Sequence, residues 1–155
     1  MISWTTTASV VDAPDGRTKR FSFTAALDET SRTVVAERVM RADTFISRLI
    51  GLLGRDGLMD SEALWISPCK GIHTIGMTFP IDAVFLGHDM KVVALRENVA
   101  PWRATRFFRS ATSVLELPAG SIHRTGVAVG DQMGFVHPPD DSTSCSRGNG
   151  HEETR

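Results

Sequence analysis

The sequence contains no tyrosine and only two cysteines among 155 residues. Neither sign of charge prevails: 17 Lys and Arg stand against 18 Asp and Glu, a net charge of −1. Cys69 and Cys145 cannot build a disulfide framework, and Cys145 lies in a polar stretch. The balanced charge excludes a surface built wholly to bind polyanions. No apolar run approaches the ~18 residues of a membrane helix, so no membrane span is expected. The opening Met1-Ile-Ser-Trp-Thr-Thr-Thr lacks the basic and then apolar regions of a secretory signal. A reducing, cytoplasmic setting is therefore the expectation.

What is present fits one soluble domain. Hydrophobic residues make up 41% and charged residues 23%, with three Trp and eight Phe. A chain of this length buries about 68–70% of its unfolded surface, enough for a core without disulfide staples.

Three regions are expected. Residues 1–31 read as a leader or as an extra hairpin, because Pro14-Asp15-Gly16 has turn chemistry between β-prone pieces. Residues 32–137 form the globular unit. Residues 138–155 contain no apolar residue beyond Cys145 and read as a disordered tail. Within the unit, Thr33–Met40, Ala63–Ile66, Ile81–Leu86, Met90–Arg96, Ser113–Leu117 and Gln132–Val136 read as strands. Asp43 is placed to cap a helix over Thr44–Leu53, whose Phe45, Leu49, Leu52 and Leu53 share one face. A short second helical turn is expected within Ala119–Gly126. The fold class is α+β: a small, mainly antiparallel, barrel-like sheet with one principal helix.

Several ordered motifs run through this unit. They are Arg48-Leu-Ile-Gly-Leu-Leu-Gly-Arg55, Gly71-Ile-His-Thr-Ile-Gly-Met77, Pro80-Ile-Asp-Ala-Val-Phe85, Lys91-Val-Val, Val114-Leu-Glu-Leu-Pro-Ala-Gly120 and Gly126-Val-Ala-Val-Gly-Asp131. Together they make residues 33–136 resemble a bacterial and archaeal family, domain of unknown function 192. The resemblance implies a small β-rich, barrel-like domain and carries no established activity. Many members have an aromatic-Met-Lys-Asn-Thr block where this chain has Gly71–Met77, and Gly-Leu-Met where it has Gly51-Leu-Leu. Many also carry a secretion or lipid-anchor leader, so the compartment is not carried over from the family.

The chemistry concentrates in Ser67–Asp82, where two prolines and two glycines punctuate a thiol, an imidazole, hydroxyls and a carboxylate. One reading pairs Cys69 with His73, the imidazole lowering the thiol pKa and Asp82 orienting the ring. Its plain counterpart makes Cys69 a small buried residue and leaves His73 and Asp82 bonded to backbone. Cys69 and His73 also have ligand chemistry, but His88, His123 and His137 are scattered and no Cys-x-x-Cys is present. No metal or cofactor is expected. Asp82 begins a strand, where a carboxylate commonly accepts main-chain N–H bonds. Arg48 lies off its helix's apolar stripe, placed for a bidentate contact with Asp82, Glu116 or an anionic ligand. Glu116 alternates with apolar neighbours, so if it points inward it requires a partner. Arg96, Arg103, Arg106 and Arg109, interleaved with Trp102, Phe107 and Phe108, have the chemistry of a single-stranded nucleic-acid contact. They also suit a solvated loop whose aromatics cap the core, and the neutral overall charge favours that reading.

The preferred expectation is a binding module, non-catalytic or not demonstrably catalytic. Its shallow polar pocket would be lined by Arg48, His73, Thr74, Asp82 and Glu116, and its partner would be a small molecule or a protein. The alternatives are a Cys69/His73 enzyme of acyl or thiol chemistry and a nucleic-acid binder acting through the loop 96–109.

Overall fold

The computed structural model describes residues 24–42, 52 and 56–136. These form β1 (Thr24–Asp28), β2 (Thr33–Ala42), β3 (Glu62–Ile66), β4 (Ile81–Leu86), β5 (Val92–Val99), β6 (Ser113–Pro118), the short helix α1 (Ser121–Thr125) and β7 (Met133–Val136). The seven strands make one sheet in the order β5-β4-β6-β3-β2-β1-β7. Every pairing is antiparallel except β2 with β3. The parallel step follows from the chain's excursion between Ala42 and Glu62, too long for a hairpin.

The six strands read from the sequence are all present, with ends that differ by a few residues. A seventh, β1, lies in the stretch set ahead of the globular unit. Thr24-Ala-Ala-Leu-Asp28 has little β-propensity of its own. It is held by partners distant in sequence, β2 on one side and β7 on the other. Asp28 closes the turn into β2 by accepting from the amides of Thr30 (2.9 Å) and Ser31 (3.3 Å) and the Ser31 hydroxyl (2.7 Å). The expected hairpin at residues 9–23, the polar tail and the helix Thr44–Leu53 with its Asp43 cap lie outside the described residues, except for Leu52. That side chain is buried in the core.

Closure of the barrel is not continuous. The edge strands β5 and β7 meet at one end only, through an isolated bridge between Lys91 and Gln132. Two backbone bonds support it, Val92 N–H to the Asp131 carbonyl (2.9 Å) and Met133 N–H to the Met90 carbonyl (3.0 Å). No ladder continues from there among the described residues, so the architecture is a mixed, mostly antiparallel sheet.

Both faces of this sheet are covered. One carries Ala26, Val39, Ala63, Val84, Leu86, Leu115, Leu117, Ile122 and Met133; the other carries Met40, Leu64, Ile66, Met77, Ile81, Ala83, Phe85 and Val114. The central strands β4 and β6 are buried at every position, which explains why Ile81-Asp-Ala-Val-Phe-Leu86 does not alternate. Each large apolar side chain there contributes about 1.5–3 kcal/mol.

Candidate functional site

Residues 70–77 and 101–108 run as a paired ribbon beside the sheet. His73 bridges to Ala104, Thr105 N–H reaches the Ile72 carbonyl (2.9 Å) and Phe108 N–H the Lys70 carbonyl (2.8 Å). At its tip, Thr74 is fully buried. Its hydroxyl donates to the Ala100 carbonyl (2.7 Å) and accepts from Arg103 N–H (3.0 Å), while its own amide donates to the Arg103 carbonyl (2.8 Å). Thr74 is therefore committed to the turn that carries Trp102 in a left-handed conformation (φ 61°). Thr74→Val keeps the volume but removes both hydroxyl bonds. It is expected to cost about 1–2 kcal/mol in urea unfolding and to speed amide exchange at Trp102 and Arg103.

Cys69 and His73 are not hydrogen-bonded to each other. The half-buried Cys69 thiol points at the Gly71 carbonyl (3.1 Å), and its own amide is bonded to the Thr112 carbonyl (2.8 Å). His73 is exposed, and its ring makes no hydrogen bond to another described residue. Among the described residues, no group of three His, Cys, Asp or Glu side chains is placed to hold a metal ion.

Asp82 is fully buried, and main-chain amides satisfy both of its oxygens. Oδ1 accepts from Asn98 N–H (2.8 Å) and Oδ2 from Ile122 N–H (2.8 Å). The first bond holds a bulge in β5, where Asn98 is left-handed (φ 49°). The second docks the first turn of α1, which lacks a side-chain cap of its own.

Glu116 is different. Asp82 is paired with Leu117, whereas Glu116 is paired with Ala83. Successive residues point to opposite faces and paired residues share one. The two carboxylates therefore leave the sheet on opposite sides and do not share a pocket. Arg48, expected to join them, lies outside the described residues. Thus Thr74 and Asp82 belong to the frame, His73 to the surface, and Glu116 alone faces an apolar surround.

That surround is legible from the register. Met40 is paired with Leu64, Leu64 with Glu116, Glu116 with Ala83 and Ala83 with Arg96. A single row thus crosses five strands with an acid at its centre. Glu116 is only 4% exposed, and no described residue bonds to its carboxyl. Desolvation raises its pKa from 4.5 to about 8, so it holds its proton at neutral pH. Arg96, one strand beyond Ala83, lies over the Phe108 ring (4.9 Å), and its Nη1 donates to the Leu95 carbonyl (2.7 Å). Phe108 in turn packs on Phe85 (4.4 Å between ring centres). Sequence reading placed Arg96 in a basic loop and missed its alignment with Glu116. Only the register with Ala83 brings the two onto one row.

The loop aromatics divide in two. Phe108 caps the core, as the plain reading expects, while Trp102 (66% exposed) and Phe107 (80%) face solvent among Arg103, Arg106 and Arg109.

Two solved structures share this fold. A protein of unknown function from Novosphingobium aromaticivorans is 22% identical, with a TM-score of 0.68 over 85% of this chain and 99% of that one. A candidate transcription regulator from Sinorhizobium meliloti is 20% identical, with a TM-score of 0.61 over 76% of this chain and 98% of that one. Identities this low speak for the fold alone. No curated protein matches the sequence. The sequence profile of DUF192, described as Uncharacterized ACR, matches residues 25–135, and the chain belongs to that family.

Proposed function

We propose that this domain is a binding module for a small polar molecule, with Glu116 as the group that recognises it. The observation that carries the reading is Glu116, a residue only 4% exposed, set among Leu64, Ala83 and Val114 with no hydrogen-bond partner for its carboxyl among the described residues. A buried polar group left unpaired costs about 1–3 kcal/mol even when neutral. Sites that carry such a cost and a shifted pKa are commonly sites of function. A neutral carboxyl both donates and accepts, so it can meet an amide or an amine.

The rest of the fold supports this role. Asp82 and Thr74 hold the segments that flank the row, through bonds to Asn98 and to Ala100. A module of this kind works in a reducing cytoplasm, where Cys69 remains a thiol.

The test uses the full chain labelled with carbon-13 at glutamate. Butyramide, n-butylamine and butyrate are titrated at millimolar concentration while the Glu116 Cδ resonance and the melting temperature are followed. At least one is expected to move both in the wild type and to leave the melting temperature of Glu116→Leu unchanged. If all three leave the Glu116 resonance unmoved, the binding reading fails.

A further inference from the structure

We infer that the outer face of the ribbon formed by residues 70–77 and 101–108 is a docking surface for single-stranded nucleic acid. It stands on observations separate from those at Glu116. Alternation defines the face: Ile72 and Thr74 are buried, while His73, Ile75, Trp102, Ala104 and Arg106 are exposed. Residues 67–80 and 100–112 hold Lys70, Arg103, Arg106 and Arg109 and no Asp or Glu, so all 18 acids of the chain lie elsewhere. The net charge of −1 is therefore an average over an uneven surface. All four cations are exposed, and none has an ion-pair partner among the described residues. A group of free cations on a chain of balanced charge is complementary to phosphates.

The side chains set among the cations decide which polyanion fits. Trp102 and Phe107 are the two most exposed large hydrophobic residues among those described, and they stand next in sequence to Arg103 and Arg106. A nucleotide in a single strand presents the complementary pair, a flat unpaired base beside a phosphate. The rings are held in place. Trp102 N–H donates to the Thr74 carbonyl (2.9 Å), in a left-handed backbone that a bulky residue seldom adopts, yet its indole remains outside the core. Phe107 lies beside Gly71 on the opposite segment, its ring 3.6 Å from the point a Cβ there would occupy. The Arg106 guanidinium sits over the Phe108 ring (5.2 Å), which leaves its N–H edges for phosphate oxygens. Five residues separate the two exposed rings, about 15 Å at the rise of a strand. Arg103 and Arg106 lie between them. A surface that enters a bilayer gathers its apolar side chains on one side of its cations. Rings interrupted by cations instead match a strand that alternates bases with phosphates.

The experiment uses the full chain and a fluorescein-labelled oligothymidylate about fifteen nucleotides long, with binding read as fluorescence anisotropy. From about 50 to 200 mM salt the affinity is expected to fall about twenty- to fiftyfold, the slope of three or four phosphate contacts on a single strand. Trp102→Asn, whose new side chain tolerates the left-handed backbone, and Phe107→Ser are each expected to weaken binding about fivefold or more. Their melting temperatures are expected to match the wild type, because both side chains are exposed. Arg103→Gln combined with Arg106→Gln is expected to flatten the log–log salt slope by about 1.4. On a duplex of the same length the two ring variants are expected to change nothing, because paired bases offer no free face. If the oligothymidylate does not bind, or binds with both ring variants unaffected, the inference is overturned. Sedimentation with phosphatidylglycerol vesicles, in the absence of oligothymidylate binding, would assign the face to a membrane and overturn it equally. Binding at Glu116 stands or falls separately, on its own resonance.

Discussion

Replacing Glu116 by Gln is expected to change stability little in acid and to raise it progressively as pH increases, by as much as about 5 kcal/mol above pH 8. In the folded protein Glu116 keeps its proton up to about pH 8, whereas its ordinary value is 4.5. Between those two values the native state binds more protons than the unfolded chain. Stability must then fall as pH rises through that window, by about 1.4 kcal/mol per pH unit. Below the window both states hold the proton and the contribution is absent; above it the full cost of burying an anion is present. Gln has nearly the same shape and no titration, so the difference between wild type and variant isolates this one group. Urea unfolding from pH 4 to pH 9 measures it directly. Parallel stability curves for the two proteins would mean that solvent or a partner reaches the carboxyl.

This behaviour separates function from architecture. A carboxyl retained for the fold would lose bonds on substitution and destabilise the protein. One retained for a ligand releases a cost when it is removed. A cationic ligand at Glu116 reverses the sign of the environment, so its binding stabilises the protein most where the empty protein is weakest.

The strands were legible because their residues carry the pattern locally. Ile81–Leu86 and Ser113–Pro118 are compact apolar runs bounded by Pro, Gly or Ser, and turn residues lie between them. β1 was not legible, because two alanines and a terminal Asp give no local preference and its stability comes from β2 and β7. Barrel closure was over-read for a similar reason: hairpin-length links say which strands are neighbours but not whether the outermost pair joins. At the site, the sequence identified Asp82 and Glu116 as residues that need partners. Which partners they have depends on register, and a shift of one residue exchanges the faces. Asp82 meets amides from two distant segments, at Asn98 and Ile122, and nothing in its neighbours along the chain announces either.

Those two amides make Asp82 the most sensitive single position in the frame. Asp82→Ala is expected to cost about 3–5 kcal/mol, since each bond from a buried N–H to a charged oxygen contributes about 1.5–3 kcal/mol. The loss also strands two donors, because alanine offers no acceptor and both amides face a buried position. Asp82→Asn should cost less, about 2 kcal/mol, because its one carbonyl oxygen keeps one bond while its NH2 opposes the other donor. Amide exchange gives the local signature: Asn98 and Ile122 are expected to exchange faster together, although they lie in β5 and α1. Equilibrium unfolding gives the global one. The same variant also tests the placement of the two acids, since residues on opposite faces without shared partners act independently. Combined with Glu116→Gln at pH 8, Asp82→Ala should therefore add its full cost, to within about 0.5 kcal/mol. A coupling above about 1 kcal/mol would place the two carboxylates in one network.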